Sequence, residues 1–371
     1  MRAASSARTG FVRPVRFEEG IPMKAVALIA LTCLALTACG GDDSPSPAAS
    51  AGNGSGTGST GGSGGTGSGG SGGSGGTGGT GGTGGTGGTG STGGSTLTLR
   101  YEAQPLASDA ASFLTLLNAE GAKGYRYLGD GAYSPPNGEV RSIFVNDGTA
   151  PTYTYQLQSN PADMTSFVNQ ANAQGANGYR YEGPYSYGYL YRKDGGSPAT
   201  YSYVTTALPG DPAAFLAQAN GQGQSGYWFF GPMMVGAVQA NVYMKNNASG
   251  ATYTYDTLAP QTTLDGFIAQ ANSEGAKGYR AKGEMLFGTT ISSVYVKDQT
   301  QSPTFTYQSA ALQGTAADFI QQANGQGATG NAYFGDLAFG TVAPFVMASV
   351  YFNASHCTGF LCTTLNPLTQ N

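Results

Sequence analysis

Five times along the chain, apolar residues fall at helical spacing, and a glycine-punctuated turn and alternating runs follow. Met164, Phe167, Val168 and Ala171 lie at i, i+3, i+4 and i+7, one face of a helix. The stripe returns at Ala110/Phe113/Leu114/Leu117, Pro212/Phe215/Leu216/Ala219, Leu264/Phe267/Ile268/Ala271 and Ala316/Phe319/Ile320/Ala323. Such stripes are core-facing. Asn160-Pro161 and Asp211-Pro212 place a capping side chain before a proline at the first helical position. Ser108, Thr262 or Thr263, and Thr315 are the caps expected elsewhere. Each helix runs into a variant of "ANAQGANGYRYEG" (Ala171 to Gly183). Its first glycines, Gly121, Gly175, Gly223, Gly275 and Gly327, are expected to take the left-handed conformation that ends a helix. Asn118, Asn172, Asn220, Asn272 and Asn324 are expected to bond the turn backbone.

After each turn comes a strand ("YRYLG", "YRYEG", "YWFFG", "YRAKG", "NAYFG"), then a second ("RSIFVND", "GYLYRKD", "ANVYMKN", "SSVYVKD", "ASVYFNA"). Hairpin-type turns lead on to "TYTY", "TYSY", "TYTY" and "TFTY", whose period of two marks a half-buried strand opening the next unit; "TLTLRY" opens the first. The unit is therefore β-α-β-β, and asparagine spacings of 54, 48, 52 and 52 set its length. The predicted fold is α+β: five tandem repeats at 97–150, 151–199, 200–250, 251–302 and 303–353, then a tail over 354–371. Each has one helix on an antiparallel sheet. One unit is too small to bury much core, so units pack on one another or share a sheet.

The phrase "LLNAEGAKGYRYLG" followed by a "VYVKD"-like strand resembles a family of small bacterial β-α-β-β domains of unknown function. Its core reads "LN-x-x-G-x-x-GWE". Tyr125, Tyr179, Tyr227 and Tyr279 stand where that family has Trp; the fifth copy has Asn331. The resemblance implies a helix on a small antiparallel sheet and carries no activity. Five circularly permuted units also resemble the pentein α/β-propeller. Two arrangements are open, a closed pentein-like ring or a packed array.

Residues Met23 to Cys39, "MKAVALIALTCLALTAC", have a signal-peptide pattern: a basic start at Lys24, and an apolar run too short to span a membrane. Leu36-Thr37-Ala38-Cys39 resembles the bacterial lipoprotein box. That resemblance implies cleavage before Cys39, lipidation of its sulfur, and a membrane anchor made by the lipid. Gly40 after the cysteine favours the outer membrane on the same resemblance. Residues 23–38 are then the signal peptide, and 1–22 an extension upstream of a true start at Met23. Residues 39–96 are the lipidated cysteine and a Gly/Ser/Thr linker, with nothing apolar to bury and much backbone entropy to lose. A coil of that composition spans about 40 Å.

The first 38 residues hold five of the 17 basic residues and two of the 21 acidic ones. From Cys39 on, the chain carries 12 and 19, a net of −7. No basic stripe exists, which argues against a nucleic-acid partner. Of four cysteines, Cys33 leaves with the signal and Cys39 takes the lipid; Cys357 and Cys362 are expected to pair in an oxidising envelope. His356 is the only histidine, and with Cys357 and Cys362 it lacks a fourth ligand and zinc spacing, so no metal or other cofactor is expected. A histidine-based nucleophilic site is likewise unexpected. Glu120, Glu274, Asp265, Asp318, Glu182 and Glu284 read as solvated charges, and Arg126, Arg180 and Arg280 as a solvated outer face or, alternatively, an acidic-ligand groove.

The expected function is a non-catalytic, lipid-anchored envelope lipoprotein that binds a protein or glycan through tyrosine-rich faces. A cell-envelope hydrolase using paired carboxylates and a structural spacer without a specific ligand are the alternatives.

Overall fold

The computed structural model describes residues 98–133, 138–367 and 370–371. Unit 1 consists of β1 (Arg100–Pro105), α1 (Ala110–Ala122), β2 (Arg126–Ala132) and β3 (Val140–Asn146). Unit 2 has β4 (Tyr153–Gln158), α2 (Met164–Ala176), β5 (Arg180–Tyr185) and β6 (Gly188–Asp194). Unit 3 has β7 (Tyr201–Thr206), α3 (Pro212–Gln224), β8 (Trp228–Val235) and β9 (Val238–Asn246). Unit 4 has β10 (Tyr253–Leu258), α4 (Leu264–Ala276), β11 (Arg280–Phe287) and β12 (Thr290–Asp298). Unit 5 has β13 (Thr304–Ala311), α5 (Ala316–Ala328), β14 (Asn331–Phe339) and β15 (Val346–Ser355). The fold is α+β with five repeats, as expected. In each unit the last strand lies between the other two and pairs antiparallel with both. The sheets are five separate three-stranded ones, so no sheet runs between repeats.

Helix starts differ from expectation in two units. Asp163, not Asn160, caps α2 by accepting from the Ser166 N–H. Asp109, not Ser108, caps α1 and forms a reciprocal box with Ser112. A carboxylate three residues closer to the apolar stripe satisfies the free N–H groups that the asparagine cannot reach. Asp211, Thr263 and Thr315 cap α3, α4 and α5 as expected.

The glycines of the repeated phrase have different duties from those expected. Gly121, Gly175, Gly223, Gly275 and Gly327 lie inside the last helical turn. A Cβ at any of them would sit under 3.0 Å from a backbone carbonyl oxygen of the next unit: Tyr153, Tyr201, Tyr253, Phe305 and Leu99 respectively. They permit close approach of helix to strand. The left-handed residue is the second glycine, with φ between 82° and 90° at Gly124, Gly178, Gly226, Gly278 and Gly330. The third glycine, as at Gly129 or Gly231, follows a bulge in the second strand of each sheet whose pairing is resolved.

The asparagines do not bond the turn either. Each reaches across to the first strand of the next unit. The Tyr203 N–H donates to Asn172 Oδ1 at 2.8 Å, and Asn172 Nδ2 donates to the Tyr203 carbonyl at 3.1 Å. Asn118 does the same with Tyr155, Asn220 with Tyr255, Asn272 with Tyr307, and Asn324 with Tyr101. The amide replaces a missing neighbouring strand at that residue. The same tyrosines reach back. Tyr155, Tyr203, Tyr255, Tyr307 and Tyr101 accept, through their hydroxyls, the N–H of Tyr127, Tyr181, Phe229, Ala281 and Tyr333.

The fifth helix meets the first strand as every other helix meets its successor, so the contacts run in a closed cycle of five. Between the two arrangements left open by the sequence, this is the ring. The core follows the cycle: one buried cluster joins Leu99, Tyr101 and Ile143 of unit 1 to Phe319, Tyr333 and Tyr351 of unit 5. The five helix phenylalanines, Phe113, Phe167, Phe215, Phe267 and Phe319, are all buried. Replacing Asn172 by alanine strips two hydrogen bonds from a half-buried strand and is expected to destabilise the chain by about 2 kcal/mol in chemical denaturation. A loss below about 0.5 kcal/mol would mean that water replaces the amide.

Candidate functional site

The bulge in the second strand of each sheet turns residues that an undisturbed strand would aim elsewhere. Together with the residue two positions earlier, they bring Arg126, Arg180, Trp228, Phe230, Arg280, Lys282 and Phe334 into the buried interior. Arg126, Arg180 and Arg280 are only 4 %, 5 % and 1 % exposed. The reading of these arginines as a solvated outer face is therefore overturned: the bulge and the cyclic packing direct them inwards.

Their partners divide into two kinds. Arg126 grips Asp147 through Nε and Nη2 at 2.9 and 2.6 Å. Arg192 bonds Asp194 and Glu182 at 2.7 and 3.0 Å. Arg180 Nε lies 3.4 Å from Glu182 without hydrogen-bond alignment, so this is a charge contact only. The remaining partners come from the segment after the repeats. Arg126 Nη2 donates to the Thr364 carbonyl. Arg280 donates to the Leu361 carbonyl at 2.9 Å and to Gln370 Oε1 at 3.0 Å, with its guanidinium 4.4 Å from the Phe352 ring centre. Lys282 donates to the Gln370 carbonyl and Asn371 Oδ1 at 3.1 and 2.8 Å, over the Trp228 ring. Burial, more than any neighbour, lowers the pKa of Arg280 to about 10 and pulls that of Lys282 well below its usual value.

Among the described residues, Arg126, Arg180, Arg192, Arg280 and Lys282 thus share the interior with Asp147, Asp194, Glu182 and a peptide segment that carries no charged side chain. The segment seats Leu361 and Leu365 in the same core as Trp228 and sets Phe360 edge-to-face against Trp228, 5.0 Å between ring centres. It begins at the disulfide Cys357–Cys362, whose Cα atoms are 5.7 Å apart. His356 is exposed beside it. Cys39, the lipobox and the linker lie outside the described residues. Among the described residues, no three His, Cys, Asp or Glu side chains cluster to hold a metal.

Two further corrections concern carboxylates. Glu120 and Glu274 are buried, not solvated, against the strand that precedes their helix. Glu120 accepts from Lys123 at 2.8 and 3.0 Å and from Gln104 at 3.1 Å. Its neighbour Glu102 shares a hydrogen bond with it. Burial first, then that bond and the adjacent charge, raise the Glu102 pKa to about 7. Unit 5 has Gln308 and Gln326 at the matching positions, bonded at 2.6 Å. Two carboxyls in direct contact leave no room for a sugar or a water between them, unlike the spacing that glycoside hydrolysis requires. Glu182 is held between arginines, whereas Asp265 and Asp318 are exposed as expected.

Glu102 supplies a pH test. Its folded-state pKa lies above the unfolded value, so its contribution is full below about pH 4.5 and fades as pH rises through about 7. Glu102→Gln, which copies unit 5, is expected to raise the Tm at pH 8 by about 1–3 °C and to change it little at pH 4.5. An equal change at both pH values would show that the pair carries no shared proton.

Sequence reasoning missed the interior cations because nothing in a lone Arg-Tyr-x-x-Gly strand marks the bulge. The recurring third glycine was the available signal. No protein-family model matches the chain, and no curated protein matches it.

Proposed function

We propose that the chain is a non-catalytic envelope lipoprotein. Its repeat ring is held at the outer membrane by lipid on Cys39 through the Gly/Ser/Thr linker, and presents a surface to a partner protein. The lipobox resemblance supports the anchor; the surface rests on a different observation. Most tyrosines of the ring are buried; Tyr125, Tyr179, Tyr227 and Tyr279 are half-buried and Tyr187 is exposed. The exposed large apolar side chains gather instead at one end of every sheet, around the final hairpin. Among them are Val140 in unit 1, Tyr187 in unit 2, Met234 and Val238 in unit 3, Leu286 in unit 4, and Val342, Val346 and Met347 in unit 5; Leu106, Leu208 and Leu312, which follow the first strands of units 1, 3 and 5, are exposed too. Repetition of exposed apolar residues at one end of five units is the single observation that carries this reading, since such exposure marks contact surfaces. It favours a protein over a glycan.

The test is capture of envelope fractions and glycans by the delipidated chain, alongside a variant with Val238, Leu286 and Met347 changed to aspartate. Enrichment of a defined protein that the variant loses supports the reading. Enrichment of glycans alone, or no difference between the two chains, counts against it; no capture at all favours a spacer. The Glu102–Glu120 pair does not carry the hydrolase alternative, because its two carboxyls share a hydrogen bond.

A further inference from the structure

The hairpins of the five units are not equally long. In units 3, 4 and 5 the second strand continues five paired residues from its post-bulge glycine, as from Gly231 to Val235. In unit 2 only Gly183, Pro184 and Tyr185 are paired. The residue four positions after that glycine is Tyr133, Tyr187, Val235, Phe287 or Phe339. Four of these are buried at 8 %, 2 %, 4 % and 4 % exposure, and the four aromatic ones each touch the helix phenylalanine of the preceding unit in the cycle: Phe287 stacks on Phe215 at 4.5 Å, Tyr187 meets Phe113 at 5.4 Å, Phe339 meets Phe267 at 5.6 Å and Tyr133 meets Phe319 at 5.8 Å. Tyr187 alone is lifted into a tight turn, 37 % exposed. The short spacing of 48 between Asn172 and Asn220 is this missing length of hairpin.

The consequence is a cavity of about 160 Å³ between units 1 and 2, open on one side and lined by Phe113, Tyr185, Tyr187, Asp130 and Ser142 among others. At about 30 Å³ per water it has room for about five waters or one compact head group. Phe113 lies 5.4 Å from Tyr187 and 6.2 Å from Tyr185, centre to centre, both tilted by about 45°. The Tyr187 hydroxyl donates to the Ala107 carbonyl at 3.0 Å, which holds the exposed ring across the junction. Asp130 is exposed at the cavity. Its Oδ1 accepts from both the Tyr127 and Ser142 hydroxyls at 2.8 Å, and its Oδ2 accepts nothing from the described residues.

We infer that this cavity binds a quaternary ammonium group, with the exposed Tyr187 ring, backed by Phe113, against its methyls and Asp130 as counter-charge. Aromatic faces beside a fixed carboxylate attract a bulky cation whose substituents are apolar. A sugar fits less well, because the Ser142 and Tyr187 hydroxyls already donate elsewhere. An anion is disfavoured by Asp130. No cationic side chain lines the cavity. The inference is independent of the lipid anchor; it shares Tyr187 with the hairpin-end surface, but Val238, Leu286 and Met347 do not line the cavity, so the two are tested by different variants. The chemistry is shared by a choline phospholipid head group and by trimethyl-lysine in a protein.

The experiment titrates the full chain with tetramethylammonium chloride, with choline chloride and with choline's uncharged isostere 3,3-dimethyl-1-butanol, following tyrosine and methyl resonances. Saturable binding of the cation, at least about tenfold tighter than the alcohol, is expected. Tyr187→Ala should weaken it about tenfold or more, and Asp130→Asn should abolish the preference for charge. Far-UV circular dichroism confirms that both variants fold; Tyr187→Phe, which keeps the ring, should retain binding. Choline-lipid vesicles and a trimethyl-lysine peptide then distinguish the two sources. Absence of saturation by tetramethylammonium, equal binding of the alcohol, or unchanged binding in Tyr187→Ala would overturn the inference.

Discussion

Gly223→Ala is expected to destabilise the chain by about 3 kcal/mol or more, whereas Gly221→Ala, two residues earlier in the same helix, is expected to stabilise it by up to about 1 kcal/mol. Helix propensity alone gives both changes the same favourable sign, because alanine loses less backbone entropy than glycine. Both positions lie within α3. They differ in what a methyl would meet. At Gly221 there is nothing within 4 Å; at Gly223 the new Cβ would lie under 3.0 Å from the Tyr253 carbonyl oxygen, with the Tyr253 side chain close behind. To relieve that clash, α3 must withdraw from β10. Withdrawal also stretches the pair of bonds between Asn220 and Tyr255, one turn away on the same helix. The Tyr255 hydroxyl then loses its hold on the Phe229 N–H. The same contrast applies to Gly325 and Gly327 in α5, where the neighbour is Leu99 at the closure of the cycle. Urea denaturation of the four single variants checks it. Similar values for Gly221→Ala and Gly223→Ala would show that the helix–strand approach is not close in solution.

The second large effect concerns the segment after the repeats. Deleting residues 357–371 is expected to lower the Tm by more than about 10 °C or to abolish cooperative unfolding. The segment is not an appendage. Arg280 has no carboxylate within ion-pair distance among the described residues; its hydrogen bonds go to the Leu361 carbonyl and the Gln370 side chain. Without them the Arg280 guanidinium and the Lys282 ammonium lose acceptors in an apolar, aromatic interior, Lys282 keeping the Phe230 carbonyl at 3.3 Å, and removing partners from a buried charge costs about 3–5 kcal/mol. That is a large part of the stability of an ordinary domain. A rescue separates this cause from lost apolar packing. Lys282→Met in the deleted chain removes one under-satisfied buried charge at similar volume and should recover several degrees. If the deleted chain melts like the full one, or if Lys282→Met changes nothing in a destabilised deletion, the segment does not serve as the partner of the interior cations.

Much of this architecture is legible in the amino-acid sequence. The five stripes headed by Phe113, Phe167, Phe215, Phe267 and Phe319 gave five helices, since a period of 3.6 has one meaning in a short amphipathic stretch. Tyrosines alternating with threonines gave the strands, and the spacing of the asparagines gave the unit. Caps were legible where one candidate stood next to the stripe, as at Asp211. They were misplaced where Asn160 and Asp163 competed, because only the geometry of the first turn selects between them.

What the order of residues determined was everything local: which stretches coil, which extend, where the unit begins and that it recurs. Tertiary structure alone decided the rest. It assigned the first glycine of each phrase to a close approach, the asparagine to the neighbouring unit's strand, and the arginines to the interior. It left unit 2, with its shortened hairpin, as the junction that stays open. The physical reason is common to all four. Each depends on a group far away in the chain, a carbonyl, an N–H or a ring brought near by the closing of five units on themselves, and a one-dimensional pattern records only the requirement for a small, polar or charged residue, not the partner that imposes it.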